Sequence, residues 1–209
     1  MNQFITRISL ALLVALACGS TSLKAIGVGI LNPSFESGLT SWDHDGSVYI
    51  LGPPNQGPIG TAGTHSANMG SFNLPGAFLA QNLTLLPGTA YVLNFDSAAN
   101  AVAVIGKVGM VRVEVFDSMT SVLASDTFTD ISPGNLQGPL GFSTRSLGFT
   151  TPVDSGSVRL KFSDVSPDNG LAVDENIDNI RLTAVPEPTS TALLLMGAGA
   201  LLAYRRAKR

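Results

Sequence analysis

The chain is poor in the residues that metal and redox chemistry lean on. Its 209 residues include one cysteine and two histidines, His44 and His65. The lone cysteine, Cys18, cannot make an internal disulfide, so an exported body has to hold together by its core. No Cys/His spacing suits zinc, and two histidines give no basis for an imidazole-built metal site. Basic charge is also scarce. Between Ile26 and Pro188 stand 6 basic against 15 acidic residues, a net charge of −9. Such a surface repels nucleic acid phosphates, whereas hard cations such as calcium suit it. There is no G-x-S-x-G nucleophile elbow. His65 adjoins Ser66, but successive residues of a strand face opposite ways, which spoils the pair as a hydrolytic dyad. A glycosidase needs two facing carboxylates, and 15 acids leave that alternative open. Rings for stacking on sugars are few: one tryptophan and three tyrosines. Helical periodicity is missing as well. Nothing between the two ends keeps a 3.6-residue period for three turns.

The ends of the chain carry clear signals. "MNQFITRISLALLVALACGSTSLKA" places Arg7 before an apolar stretch, Ile8 to Cys18, with small residues after it. This predicts a secretory signal peptide over residues 1–25, cleaved after Ala17 or Ala25. The alternatives are a retained anchor, for which the run is short, and a lipoprotein acylated at Cys18. At the other end stands "VPEPTSTALLLMGAGALLAYRRAKR", residues 185–209. No residue from Thr189 to Tyr204 is charged, which is about 24 Å of helix. That is short for a hydrocarbon core of about 30 Å, but Tyr204 and the arginine stems can reach the interface. A single transmembrane helix over residues 189–204 is expected, with Arg205, Arg206, Lys208 and Arg209 on the cytoplasmic side. Pro186 and Pro188 bracket Glu187 and keep this stretch extended just outside the bilayer.

This arrangement resembles the PEP-CTERM sorting signal of Gram-negative bacteria. The resemblance rests on Val185-Pro186-Glu187-Pro188, the apolar run from Ala192 to Tyr204 and the Arg205-Arg206 pair. It implies recognition by a membrane enzyme of the exosortase type and removal of the tail. An inner-membrane precursor would give way to a product at the cell surface or in the extracellular matrix. The family is also associated with exopolysaccharide.

The body, residues 26–184, reads as strands. "LAQNLTL" (79–85), "AYVLNFDSA" (90–98), "VGMVRVEVFD" (108–117), "VRLKF" (158–162) and "IDNIRL" (177–182) alternate apolar and polar residues between Gly, Pro, Asn and Asp. Val111, Val113 and Val115 share one face, with Arg112 and Glu114 on the other. The stretch 51–68, full of Gly and Pro, reads as a surface loop, and Asn169-Gly170 as a hairpin turn. There is no internal repeat. Many short strands at this spacing predict an all-β, antiparallel sandwich. Trp42, Tyr49 and Tyr91 are expected to pack inside, and Phe95, Phe116, Phe149 and Phe162 to fall on apolar faces.

Three motifs in order carry a second resemblance: "LNPSFESGLTSWDHDG" (31–46), "FLAQNLTLLPGTAYVLNFDS" (78–97) and "ENIDNIRL" (175–182). Together they resemble the galactose-binding-like jelly roll of carbohydrate-binding modules and many bacterial surface proteins. The likeness implies neighbouring first and last strands and a structural calcium shared by an early acid and a late aspartate. Those positions here are Glu36, after an inward Phe35, and Asp178, before Asn179. Carboxylates with backbone carbonyls suit calcium. No cofactor is otherwise required. The expectation is an exported, non-enzymatic surface or matrix protein that associates with exopolysaccharide. The alternatives are a carbohydrate-binding module and, more remotely, a hydrolase. Its partners would be the exosortase, the membrane and polysaccharide, not nucleic acid.

Overall fold

The structure, a computed structural model, describes residues 29–45, 47–53, 60–70, 77–101, 105–134, 141–167, 173–185, 197 and 204. Gly27–Val185 forms a compact unit by itself, and Met1–Ile26 and Pro186–Arg209 fall outside it. The expected signal peptide, the Pro186-Glu187-Pro188 motif and the Arg205-Arg206 pair lie outside the described residues. So does the expected span, apart from Gly197 and Tyr204, which are helical. Among the described residues no helix is long and apolar enough to cross a membrane.

Ten strands build the body: β1 (Asp43–Asp45), β2 (Val48–Leu51), β3 (Ser66–Met69), β4 (Phe78–Thr84), β5 (Ala90–Ala101), β6 (Val108–Asp117), β7 (Val122–Ile131), β8 (Ser143–Thr150), β9 (Ser157–Asp164) and β10 (Val173–Ala184). They form two five-stranded sheets, β1-β4-β9-β6-β7 and β2-β3-β10-β5-β8, and every ladder is antiparallel. This is the all-β sandwich that the alternation predicts. In β6 the valines 111, 113 and 115 are buried while Arg112 is exposed.

A chain of aromatic contacts joins the sheets. Phe35 lies 5.5 Å from Trp42, and Trp42 lies 6.3 Å from Phe162 of β9. Phe162 meets Phe95 of β5 edge-on at 5.1 Å, and Phe95 meets Phe128 of β7 at 5.4 Å. Each such side chain, fully buried, contributes about 1.5–3 kcal/mol. The space bounded by Leu83, Leu93, Val115, Phe149 and Leu160 does not admit a water molecule.

Two of the recognised motifs turn out to be structural joints. Asn32 closes the first turn: its Nδ2 donates to the Gly38 carbonyl at 2.7 Å and its Oδ1 accepts from Ser37 N–H. The Trp42 indole donates to the Asn32 carbonyl at 3.1 Å. Gln81 on β4 then stitches this segment to the first sheet, donating to the carbonyls of Leu31 and Ser41 and accepting from Leu31 N–H, all at 3.0 Å. Tyr91, buried on β5, accepts the Leu86 N–H at the Pro87-Gly88 turn.

The structure corrects several expectations. β7 and β8 carry Ser, Thr or Asp at half of their positions and pair on one side only, so their apolar alternation is weak. Residues 51–68 are not one loop, because Leu51 ends β2 and Ser66–Asn68 belong to β3. Phe116 is only half-buried, since the alternation of β6 puts it on the face of Arg112 and Glu114, opposite Val111, Val113 and Val115. Tyr49, on the edge strand β2, is 44% exposed rather than packed. The first and last strands are not neighbours: β1 pairs with β4, and β10 with β3 and β5. The N-terminal segment touches β10 through one bond instead, Ile180 N–H to the Pro33 carbonyl at 3.0 Å.

Candidate functional site: the outer face of the second sheet

β10 alternates between two environments. Ile177 enters the core between the sheets, whereas Asp174, Asn176 and Asp178 point to the outer face of the second sheet. A bulge at Asn179, with φ 52°, resets the alternation so that Ile180 and Leu182 return to the core.

Three rows of side chains cross this face in register. In the first, Tyr49, Asn68, Asn176 and Ala98 stand side by side on β2, β3, β10 and β5. Phe142, just before β8, packs with Ala98 and Leu51. The row therefore has a ring at each end and amides between. Asn68 donates to the Asn176 carbonyl oxygen at 3.1 Å. In the second row Asp174 faces Asn100, and the Tyr49 hydroxyl donates to Asp174 Oδ2 at 3.0 Å. Gly70 leaves room for this carboxylate, because a Cβ there would come within 2.2 Å of it. In the third row Asp178, Asp96 and Thr144 are aligned on β10, β5 and β8.

A strap of chain, Gly60–His65, lies over the third row. Asp178 Oδ2 accepts from the N–H groups of Thr61 and Ala62, and the Thr61 hydroxyl donates to Asp96. Glu36 holds the other end of the strap. Its Oε1 accepts the N–H groups of Thr64 and His65, each at 2.8 Å, and its Oε2 lies 3.0 Å from both the Thr64 hydroxyl and His65 Nδ1. Gly63 has φ 111°, and a Cβ there would meet Glu36 Oε1 at 2.4 Å, so only glycine fits. Glu36 and Asp178 both hold this one segment, Glu36 through Thr64 and His65 and Asp178 through Thr61 and Ala62. As placed, both oxygens of Glu36 already accept hydrogen bonds, and Asp178 Oδ1 is left free. Among the described residues no three His, Cys, Asp or Glu side chains gather as a metal cluster.

The charges follow from these contacts. Burial opposes ionisation of Glu36, but hydrogen bonds from His65 and Thr64 outweigh it and lower the carboxyl to about 2. The same Glu36 bond raises His65. Burial also opposes ionisation of Asp96, yet Thr61, Asn179 and Thr144 lower it. Asp174 and Asp178 go the other way, because burial raises them more than their donors lower them. Glu175 points inward, fully buried, and burial with the nearby charges of Asp130 and Asp164 raises it well above the usual range.

Of the eight buried side-chain atoms without a hydrogen-bond partner among the described residues, five lie on this outer face: Ser66 Oγ, Asn68 Oδ1, Asn100 Oδ1, Asp174 Oδ1 and Asp178 Oδ1. Buried polar groups normally find partners, so five orphaned oxygens on one face mark it out. Sequence reasoning missed Asn68, Asn100 and Asn176, because amides in a Gly-rich stretch and at a strand end carry no signal of a shared face.

The His65 contacts do not make a hydrolytic relay. Thr64 Oγ1 and Glu36 Oε2 both meet Nδ1, while Nε2 faces the Pro53 carbonyl. A nucleophile and an orienting acid must use opposite ring nitrogens.

Comparison with known proteins bears on both parts of the chain. Residues 184–209 match the PEP-CTERM protein-sorting motif. No curated protein sequence matches the chain. The body is similar to the carbohydrate-binding module TmCBM61, solved in complex with β-1,4-galactotriose, at 17% identity and TM-score 0.53, over 76% of this chain and 99% of that one. It is also similar to part of the arabinose-bound α-L-arabinofuranosidase MgGH51, at 14% identity and TM-score 0.51, over 79% of this chain and 27% of that one. The chain carries a PEP-CTERM sorting motif behind a β-sandwich body with the fold of carbohydrate-binding modules.

Proposed function

We propose that this is an exported, non-enzymatic protein of a Gram-negative bacterium. An exosortase-type membrane enzyme processes its tail and leaves the body at the cell surface or in the matrix. There the body holds exopolysaccharide on the outer face of its second sheet. The sorting motif supports export and processing. The observation that carries the binding reading is the set of five buried, partnerless oxygens on that face. Leaving such atoms unpaired costs about 1–3 kcal/mol each, and the hydroxyls of a sugar chain are the donors that would pair them. Tyr49 and Phe142 at the ends of the first row offer ring surface for pyranose faces. These oxygens are solvent-excluded, and at the third row ligand entry would displace the Gly60–His65 strap.

A non-catalytic body is supported by the likeness to the carbohydrate-binding module TmCBM61. A structural calcium is part of the same proposal. Asp178 Oδ1 is its free ligand atom, and Glu36 would exchange the N–H groups of Thr64 and His65 for the ion.

The test is binding of the exported protein to immobilised neutral and acidic polysaccharides, compared with an Asn68→Ala/Asn176→Ala variant. Binding that the double variant loses while keeping its melting transition supports the proposal. No binding to any polymer by the parent protein refutes it.

A further inference from the structure

Strand register gathers three loops at the end of the sandwich where β10 stops. Thr84 at the end of β4 faces Ser157 at the start of β9, and Asp117 at the end of β6 faces Val158. Ala184 at the end of β10 faces Tyr91 near the start of β5. Residues 85–89, 118–121 and 151–156 therefore turn at this one end. Backbone bonds tie two of the loops together: Leu85 N–H to the Gly156 carbonyl at 2.8 Å, Gly88 N–H to that of Pro152 at 3.0 Å, and Thr151 N–H to that of Thr89 at 3.1 Å. Val185 joins them, its N–H donating to the Ala90 carbonyl at 2.8 Å.

This end is apolar and exposed. Among the described residues of the body, nine large apolar side chains are exposed, and five of them stand here: Leu86, Met119, Val122, Val153 and Val185. Met119 and Val153, in two different loops, are 79% and 88% exposed. Apolar side chains held in water add nothing to the core, and a gathered set of them marks a contact surface. Charge is scarce beside them. The three loops hold a single charged residue, Asp154, in a body of net charge −9. Asp117, at the end of β6, accepts the N–H groups of Met119 and Ser121 at 2.8 Å each, which props the Met119 loop.

The length of chain beyond Val185 says what covers this surface. Pro186, Glu187 and Pro188 are all that separates Val185 from Thr189, where the uncharged run begins. Four fully extended residue steps reach about 14 Å at most. The headgroup layer outside the hydrocarbon core takes up about 5–8 Å of that reach. With the span in the bilayer, the end that carries Val185 is held against the headgroups, and nothing comparable holds a second copy there.

We propose that in the membrane-held precursor this end of the body lies on the bilayer, with Leu86, Met119, Val122, Val153 and Val185 set into the boundary between headgroups and acyl chains. The proposal rests on the tail acting as a membrane span, as in the reading above. Apolar burial supplies the attraction, so the surface takes uncharged or zwitterionic lipid. Docked in this way, the body fixes the height of the sorting peptide that follows Val185.

The test uses the exported chain with its tail intact and Cys18→Ser, in phosphatidylcholine vesicles that carry a nitroxide quencher on the headgroup. One fluorophore is attached in turn at Met119→Cys, Val153→Cys and Ile131→Cys. Ile131 is the control, because it is also exposed but ends β7, about 30 Å along the strand from Val122. Lipid should quench the label at 119 and 153 and leave it bright at 131. Leu86→Asp/Met119→Asp should then weaken quenching at 153 while the melting transition stays, since both side chains are exposed. Quenching that this double variant leaves unchanged reports the tether alone and overturns the proposal. Equal quenching at all three positions, or none at 119 and 153 in a chain that resists alkaline extraction, overturns it and leaves the span standing. Self-quenching that rises with protein density, without lipid quenching, assigns the surface to a second copy and also overturns it. A chain that alkaline carbonate strips from the vesicles removes the span and the proposal together.

Discussion

Glu36 and His65, 29 residues apart, are joined twice: the His65 N–H donates to Glu36 Oε1 at 2.8 Å, and the His65 ring nitrogen Nδ1 lies 3.0 Å from Oε2. This pair fastens one end of the Gly60–His65 strap, while Asp178 fastens the other.

The clasp should be visible as a pH dependence in chelator-treated protein. Glu36 is lowered from 4.5 to about 2, so its contribution is present above pH 4.5 and is lost as pH falls toward 2. His65 is raised above 6.5, so its contribution is present below 6.5 and is lost as pH rises through its folded value. The clasp is therefore strongest between these limits. Glu36 is partly exposed, so the effect is modest. Glu36→Gln should lower the melting temperature by about 2–4 °C near pH 5.5 and by less at pH 3 or pH 9. A difference that does not change with pH would show that the carboxylate acts only through neutral hydrogen bonds.

Calcium gives a second reading of the same place. Chelation of calcium-loaded protein should lower its melting temperature, and Asp178→Asn should remove that response. At about 100 times its dissociation constant the ion adds about 2.7 kcal/mol. Indifference of the parent protein to chelation assigns Glu36 and Asp178 to the strap alone.

Gln81 is expected to matter for stability and not for binding. It makes three hydrogen bonds to the 31–41 segment from a buried position. Gln81→Ala should cost about 2–4 kcal/mol, read from denaturant unfolding, through the groups it leaves unpaired. Polysaccharide affinity at a temperature where the variant is folded should be unchanged. Lost affinity in folded Gln81→Ala would place this motif in the binding machinery.

The sorting motif makes the fourth prediction. In a host with an exosortase, the full-length chain should appear first in the membrane and then as a smaller, released form. Replacing Pro186, Glu187 and Pro188 together by alanine lets helix continue outward and removes the recognition residues, so the precursor should accumulate. Replacing Arg205 and Arg206 by alanine should weaken retention and orientation instead, leaving Lys208 and Arg209. Normal processing of the alanine triplet, followed by immunoblotting of membrane and medium, would end the sorting role of this stretch.

The tail was legible because its signal is linear: a peptide, an apolar run and a basic end act in chain order, and residues 184–209 match the sorting motif. The strands β4, β5, β6, β9 and β10 were legible because apolar and polar residues alternate along part or all of each, which writes a period of two into the sequence even where, as in β10, both faces are buried. The edge strands β7 and β8 pair on one side only and leave a weaker trace. Glu36 and Asp178 could be connected only through the likeness of whole motifs. The binding face left no local trace. Tyr49, Asn68, Asn176 and Ala98 come from four strands, and what makes them neighbours is the pairing order β2-β3-β10-β5. Local alternation tells each residue which side of its strand it takes, but strand order and register are settled by packing between distant segments, and only there do the five unpaired oxygens come to share one surface.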